Sequence, residues 1–373
     1  NHIAGNRLTL YRHRDIPHFL DVALFQAGIS HRTLEALFHA VFEEVEVARR
    51  IARAKAALLG FKTLEWQDFD AALPLKNAAA ISWSDGKAMV ENAFARSFPD
   101  LATFLRQGLK DRWVESEVRP GKRPGAFCTG SYLTGESRIY MTFNGSLGDV
   151  STLAHEAGHA YHNHVMKEMR HFIQEYPMTL AETASTFAEM ILSEGIMNDP
   201  KVTEQQKLEL LNQNLSGSMA FLLNIPVRFE FEKNFYTERA EGPVPVSRIR
   251  ELMVNAQRKV YGDTLTEGGE DPWFWASKLH FYIASVSFYN FPYTFGYLLS
   301  RGLFGQLKKE GPSFFPKFND FLRLAGSDTA EQVARRTVQI DLETPDFWRQ
   351  SIRTLEPEVA AFEKMAAKGK IRG

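Results

Sequence analysis

A single cysteine, Cys128, stands in a chain of 373 residues, so no internal disulfide can form and burial alone must hold the fold. Such scarcity is expected of a reducing compartment, and the cytoplasm is the expected location. Net charge is equally scarce: 44 basic against 45 acidic side chains leave −1, which gives neither nucleic acid nor an anionic membrane surface an electrostatic hold. The start, Asn1-His2-Ile3, lacks the basic segment, apolar core and small-residue cleavage site of a signal peptide. Long apolar runs are missing as well. The stretch between His280 and Arg301 is uncharged and of bilayer-spanning length, yet it holds Ser285, Ser287, Asn290, Pro292, Thr294 and the tyrosines 282, 289, 293 and 297. It is expected to be a buried polar-aromatic wall and no membrane span. Repeats and low-complexity tracts are absent, and 44% apolar with 24% charged residues excludes disorder and fibrous architectures.

What the sequence has in abundance is helical period. After Ser30, the residues Leu34, Leu37, Val41, Val45, Ala48 and Ile51 recur every three or four positions and Gly60 stands at the end, the pattern of a capped amphipathic helix. The pattern returns after Ser84, Thr203, Ser247 and Ser327. Strand signals are confined to Gly125–Cys128 and Arg138–Phe143, separated by Gly130, Thr134 and Gly135 and followed by the turn pair Asn144-Gly145. The expected fold class is mainly α with one small β element. The expected organisation is a single domain over 1–373: a helical stretch over residues 1–115, a β element over 117–145, metal-binding helices over 146–195 and a helical remainder over 196–373. The glycine-rich patch Gly262–Pro272 is expected to be an internal loop.

The chemistry is concentrated in Leu153-Ala154-His155-Glu156-Ala157-Gly158-His159-Ala160-Tyr161-His162. The pattern His-Glu-x-x-His lies in a helical stretch opened by Ser146 or Asp149. Residues four apart on a helix lie one turn apart on nearly the same face, so both imidazoles can reach one metal ion. Glu156 projects beside that ion, where a carboxylate can take a proton from water. Two solvated histidines would satisfy the same pattern, but the small Ala154, Ala157, Gly158 and Ala160 with apolar Leu147, Val150 and Leu153 suit an interior helix. A catalytic zinc needs a third protein ligand, and two residues compete. His162 lies on the same helix and would have to reach around its axis. Glu182, in a second helix, can approach from the opposite side and is favoured, although Thr179 and Glu182 also have the spacing of a capping box. Glu189 returns to the same face two turns later and can accept the outer N–H of a ligating imidazole.

Three blocks then resemble a known family: Gly121-Lys122-Arg123-Pro124-Gly125-Ala126-Phe127-Cys128, the run from Leu147 to Glu156, and Leu180-Ala181-Glu182-Thr183-Ala184-Ser185-Thr186-Phe187-Ala188-Glu189. They are similar to the oligoendopeptidase F group of zinc metallopeptidases, relatives of thimet oligopeptidase. The resemblance implies a zincin-like helical metallopeptidase with a small β-sheet beside the metal-binding helix and a deep substrate channel. It implies one zinc per chain held by His155, His159 and Glu182, with Glu156 as general base and short oligopeptides as substrates. It also implies an aromatic-rich helix facing the metal, matched by His280, Tyr289 and Tyr293, with Tyr297 a further possibility if the alignment slides by one residue. Arg138–Phe143 is expected to be an edge strand to which an extended peptide adds, making Arg138 and Tyr140 candidates for substrate contact together with Tyr297. Members of the group usually carry a further N-terminal helical lobe, and this chain begins partway through their pattern. Ala126-Phe127-Cys128 also departs from the Ala-Tyr-Ser common in the group. Two rival readings remain: a cysteine hydrolase built on Cys128, weakened because buried thiols in strands are ordinary, and a non-catalytic helical peptide-binding module.

Overall fold

The computed structural model describes residues 1–74 and 80–367. Helices dominate. In chain order they are α1 (His2–His13), α2 (Asp21–Ala27), α3 (His31–Glu43), α4 (Val45–Leu59), α5 (Trp83–Ser97) and α6 (Pro99–Lys110). The strands β1 (Val114–Glu115), β2 (Phe127–Gly130) and β3 (Ser137–Tyr140) follow. Next come α7 (Leu147–Met166), α8 (Met178–Ala181), α9 (Thr183–Met197), α10 (Glu204–Met219), α11 (Ile225–Glu241), α12 (Val246–Tyr261) and α13 (Phe274–Ser277). The chain ends with α14 (Phe291–Glu310), α15 (Phe315–Arg323), α16 (Ala330–Thr337), α17 (Pro345–Arg353) and α18 (Glu356–Ala367). The described residues group into two compact units, one of 1–74, 214–295 and 342–367, the other of 80–213 and 296–341. The division falls within α10 and α14.

In the first unit, the helix expected from Ser30 to Gly60 is two helices. Ser30 caps α3 by accepting the Thr33 N–H, and Gly60 closes α4 in a left-handed conformation at φ 82°. The chain turns between them at Glu44, where no glycine or proline marks a stop. Tertiary partners supply the reason: α3 packs on α17 and α4 on α18, and the Glu44 carboxylate receives Arg353 at 2.6 Å. Local propensity yields to packing. α10 continues through a π-helical turn, Ala220–Asn224, into α11, whose Pro226 sits in its first turn where a missing N–H costs nothing.

The loop ahead of α14 belongs to the same unit and is tied from below. Arg7 of α1 donates through Nη2 to the carbonyls of Ile283, Ala284 and Val286 at 3.0–3.1 Å. The buried Glu232 carboxylate takes the Phe288 N–H at 2.9 Å. Phe288 sits at φ 53°, a conformation disfavoured for a bulky side chain, and these bonds hold it there. The aromatic segment is therefore not one helix: His280 lies in a short 3₁₀ turn, Leu279–Tyr282, and regular helix begins only at Phe291.

The second unit is built on α7 and α9. Ser146 accepts the Asp149 N–H at 3.0 Å while Asp149 accepts the Ser146 N–H at 3.0 Å, a reciprocal cap that starts α7. α9 packs along α7, and Gly158 sets the distance between them. A Cβ at that position would stand 2.5 Å from the Ala184 carbonyl oxygen and 2.6 Å from the Ser185 Cα. Behind α9, Ser300 of α14 donates to the Thr183 carbonyl at 2.9 Å. The strands form one three-stranded sheet in the order β1-β3-β2, with β1 parallel and β2 antiparallel to β3, and β2 and β3 pack beside α7. Two corrections follow. β1 precedes the expected β element of 117–145, and β3 is the central strand. The expectation of an edge strand at Arg138–Phe143 fails because β3 is paired on both sides, leaving β2 as the antiparallel edge.

Among the described residues no helix is long and apolar enough to cross a membrane. Gly158→Ala is expected to destabilise the protein by about 1–3 kcal/mol through overpacking and to weaken metal binding, read as a lowered thermal midpoint together with a lowered metal content. A variant with wild-type values for both would remove Gly158 from this role.

Candidate metal centre

His155 and His159 leave α7 on one face, and Glu182 comes from the junction of α8 and α9. Glu182 is not inside a helix, as expected, but between two, at φ −90° and ψ 7°. The capping-box alternative is excluded: α8 begins at Met178 after Pro177, without a side-chain cap, and Thr179 lies within it. The Glu182 carboxylate instead faces the histidines. His155 Nε2 and His159 Nε2 are 3.2 Å apart, and Glu182 Oε2 lies 3.3 Å from the first and 3.4 Å from the second.

A tetrahedral zinc with bonds of about 2.0–2.1 Å separates its donors by roughly 3.3–3.4 Å, so the three atoms match the face of such a coordination shell. They also suit it chemically, since two imidazole nitrogens and a carboxylate oxygen are donor atoms that zinc accepts. Burial opposes a charge on His155, but the carboxylates of Glu182 and Glu189 outweigh it and hold the ring at about 10. Burial likewise opposes the charge on Glu182, and bonds from His155 and His159 overcome it, placing the carboxyl well below its ordinary range. The pocket favours an anionic carboxylate and draws positive charge towards it.

Further contacts orient the donors. Glu189 Oε2 lies 3.4 Å from His155 Nδ1, and Ser151 donates to Glu189 Oε1 at 3.2 Å. Ser185 donates to Glu182 Oε2 at 2.8 Å. The two serines escaped the sequence reading. Their signal was spacing, since Ser151 lies one turn before His155 and Ser185 one turn before Glu189. Gly296 of α14 lies close to the same segment, where an added Cβ would stand 3.3 Å from the Thr179 carbonyl oxygen.

Glu156 is only 5% exposed. Its carboxyl is raised by burial against the opposing pull of His155 and His159, and Oε2 has no hydrogen-bond partner among the described residues. His162 is not a third ligand. It is fully buried, bonded through Nε2 to the Leu322 carbonyl at 3.0 Å and stacked on Tyr176 at 4.3 Å. Burial lowers it to about 4, as befits a neutral core histidine. The Cys128 thiol is pushed up to about 12 by burial, with Glu156 adding to the effect, which removes it as a thiolate nucleophile.

In β3, Ser137 and Ile139 are buried, Ser137 accepting from Asn163 of α7 at 3.3 Å. Strand alternation therefore puts Arg138 and Tyr140 on the opposite face. Arg138 pairs with Glu136 at 2.8 Å and Tyr140 donates to the Arg123 carbonyl at 2.9 Å. Tyr297 is buried in α14, with Arg301 over its ring at 5.9 Å. In the first unit His280, Tyr289 and Tyr293 do meet: ring centroids are 4.7 Å apart for His280 and Tyr289, 6.2 Å for His280 and Tyr293, and 5.9 Å for the two tyrosines. A second grouping of metal-ligand residue types, His18, Asp21 and His31, is occupied locally. Asp21 takes the His18 N–H at 2.9 Å and meets His31 Nε2 at 2.7 Å, while His18 Nδ1 accepts the Leu20 N–H at 3.1 Å.

Comparison with known proteins gives a consistent answer. The family model described as peptidase family M3 matches residues 95–354. The chain is 24% identical to oligopeptidase PepF of Bacillus subtilis over 94% of its own length and 52% of that protein. It is 26% identical to an oligoendopeptidase F homolog of Lactococcus lactis over 93% of its length and 57% of that protein. It thus spans little more than half of these relatives. The crystal structure of oligoendopeptidase-F from Enterococcus faecium superposes with a TM-score of 0.73 at 18% identity, covering 98% of this chain and 58% of that one.

Metal analysis of the purified chain is expected to find about one zinc. Glu182→Ala is expected to lose it and His162→Ala to retain it while losing thermal stability; the reverse result would exchange the two residues' roles.

Proposed function

The chain belongs to peptidase family M3, within its oligoendopeptidase F group, and on that premise we propose that it is a zinc-dependent endopeptidase acting on short, unfolded oligopeptides. The observation that carries the reading is the triangle of His155 Nε2, His159 Nε2 and Glu182 Oε2, 3.2–3.4 Å on each side, with the buried Glu156 beside its first member. Glu189 and Ser185 keep the histidine tautomer and the carboxylate in place.

Bound zinc supplies Lewis acidity, which polarises a carbonyl oxygen and makes water a competent nucleophile at neutral pH. Glu156 accepts the proton of the attacking water and returns it to the leaving amine. Its raised affinity for protons, caused first by burial, brings it closer to the working pH of such a shuttle. The assignment of Tyr289, Tyr293 and His280 to the substrate rests on their match to the family's pattern. On that assignment a tyrosine hydroxyl donates to the developing oxyanion, a contribution worth about 3 kcal/mol for one well-placed donor. The peptide itself is best received by β2, the mostly exposed edge strand, because main-chain pairing reads conformation and tolerates many side chains.

Glu156→Gln is expected to keep the metal and lower kcat by about 10²–10⁴-fold, measured by mass spectrometry of a mixed peptide library; full activity would end the general-base assignment. Tyr293→Phe is expected to lower kcat while leaving KM nearly unchanged, because the donor acts on charge present mainly in the transition state. A change in KM alone would make Tyr293 a binding residue.

A further inference from the structure

His280 has two ring nitrogens, and its neighbours treat them unequally. Nδ1 lies 2.7 Å from Asn290 Oδ1 and 3.3 Å from Arg228 Nη1, while Arg228 Nη1 donates to the same Asn290 Oδ1 at 3.0 Å. A guanidinium has donors only, so the Asn290 atom facing it must be the carbonyl oxygen; the flipped amide would set N–H against N–H. That oxygen has no hydrogen to give, and at 2.7 Å against 3.3 Å for Arg228 Nη1 it is the closer neighbour, so the hydrogen belongs on the imidazole Nδ1. Neutral His280 is thereby the Nδ1–H tautomer, and Nε2 carries the lone pair.

The partners are themselves held. Arg228 donates through Nε to Asn224 Oδ1 at 2.7 Å, at the end of the π-helical turn, and lies 5.2 Å over the Phe274 ring. Asn290 is 1% exposed, and its Nδ2 has no hydrogen-bond partner among the described residues. An unsatisfied buried donor is a standing cost in stability. The side chain is kept by its oxygen alone, which faces both Arg228 and His280. That shared oxygen is what fixes the tautomer of His280.

We propose that Asn290 and Arg228 are positioning residues that keep His280 a hydrogen-bond acceptor, so that Nε2 takes an N–H from the peptide backbone of the substrate. Hydroxyl donation is then left to Tyr289 and Tyr293, and His280 is not an oxyanion donor. This rests on the reading of the chain as a peptidase in which His280 touches substrate. Recognition through a main-chain N–H adds no demand on side-chain identity.

The test is a long-range proton–nitrogen correlation spectrum of the full chain labelled with ¹⁵N-histidine at neutral pH, the His280 signals being those lost in His280→Gln. The wild type is expected to show a protonated, pyrrole-like Nδ1 and a pyridine-like Nε2. In Asn290→Leu only Arg228 Nη1 faces Nδ1, so the hydrogen moves to Nε2, the two signals exchange character, and kcat/KM falls about ten- to a hundredfold as an acceptor becomes a donor. Asn290→Ala removes the same acceptor with a smaller side chain and is expected to exchange the two signals likewise, so it decides the matter with the wild-type spectrum if the leucine variant does not fold. A hydrogen on Nε2 of the wild type, in either the other neutral tautomer or a doubly protonated ring, overturns the proposal. So does an unchanged tautomer in folded Asn290→Leu. If the tautomer is as expected but His280→Gln cleaves peptides at the wild-type rate, the tautomer assignment stands and the substrate contact of His280 fails.

Discussion

Two imidazole nitrogens and a carboxylate oxygen lie within 3.4 Å of one another, and the close packing of α7 against α9 keeps them there. The spacing along α7 accounts for two of the three donors. The third arrives because α9 can lie against α7 closely enough, and that closeness depends on Gly158, whose missing side chain leaves room for the Ala184 carbonyl. Ser185 restrains the carboxylate and Glu189 restrains His155. Were a cation to bind there, its binding free energy would add to the stability of the folded chain.

The same helix shows how surroundings sort chemically identical residues. His155 and His162 are both largely buried, yet the first faces two carboxylates and is held up at about 10 while the second faces a carbonyl and an aromatic ring and falls to about 4. Burial pulls both in the same direction, and only the charged neighbours reverse it for His155. Glu156 feels both influences, since burial raises its carboxyl while the two nearby histidines oppose the rise. In the first unit a comparable economy of polar groups acts on His280, where one amide and one guanidinium select a tautomer without supplying a net negative charge.

Legibility followed the range of the interactions. The α7 start was visible because Ser146 and Asp149 act on each other across three residues. The α4 end was visible because Gly60 takes a backbone conformation others avoid. The break at Glu44 was not, since it answers to α17 and α18, some three hundred residues away in sequence. The order of the strands was hidden for the same reason: alternation of side chains along Ser137–Tyr140 shows that a strand exists but not that Val114–Glu115 and Phe127–Gly130 pair on either side of it. Ser151 and Ser185 looked like ordinary helix residues until the fold placed a carboxylate before each.

By itself the sequence determined the helical class, the two histidines one turn apart and the glutamate between them, because these depend on the pitch of one helix and on residue type. The tertiary structure alone brought Glu182 beside the two histidines and turned His162 to the Leu322 carbonyl, and it moved the exposed antiparallel edge from Arg138–Tyr140 to Phe127–Gly130. It also set Asn290 Oδ1, itself held by Arg228, against His280 Nδ1. Each of these outcomes turns on which distant atoms lie within hydrogen-bonding distance, and chain spacing carries no information about that until the helices have packed.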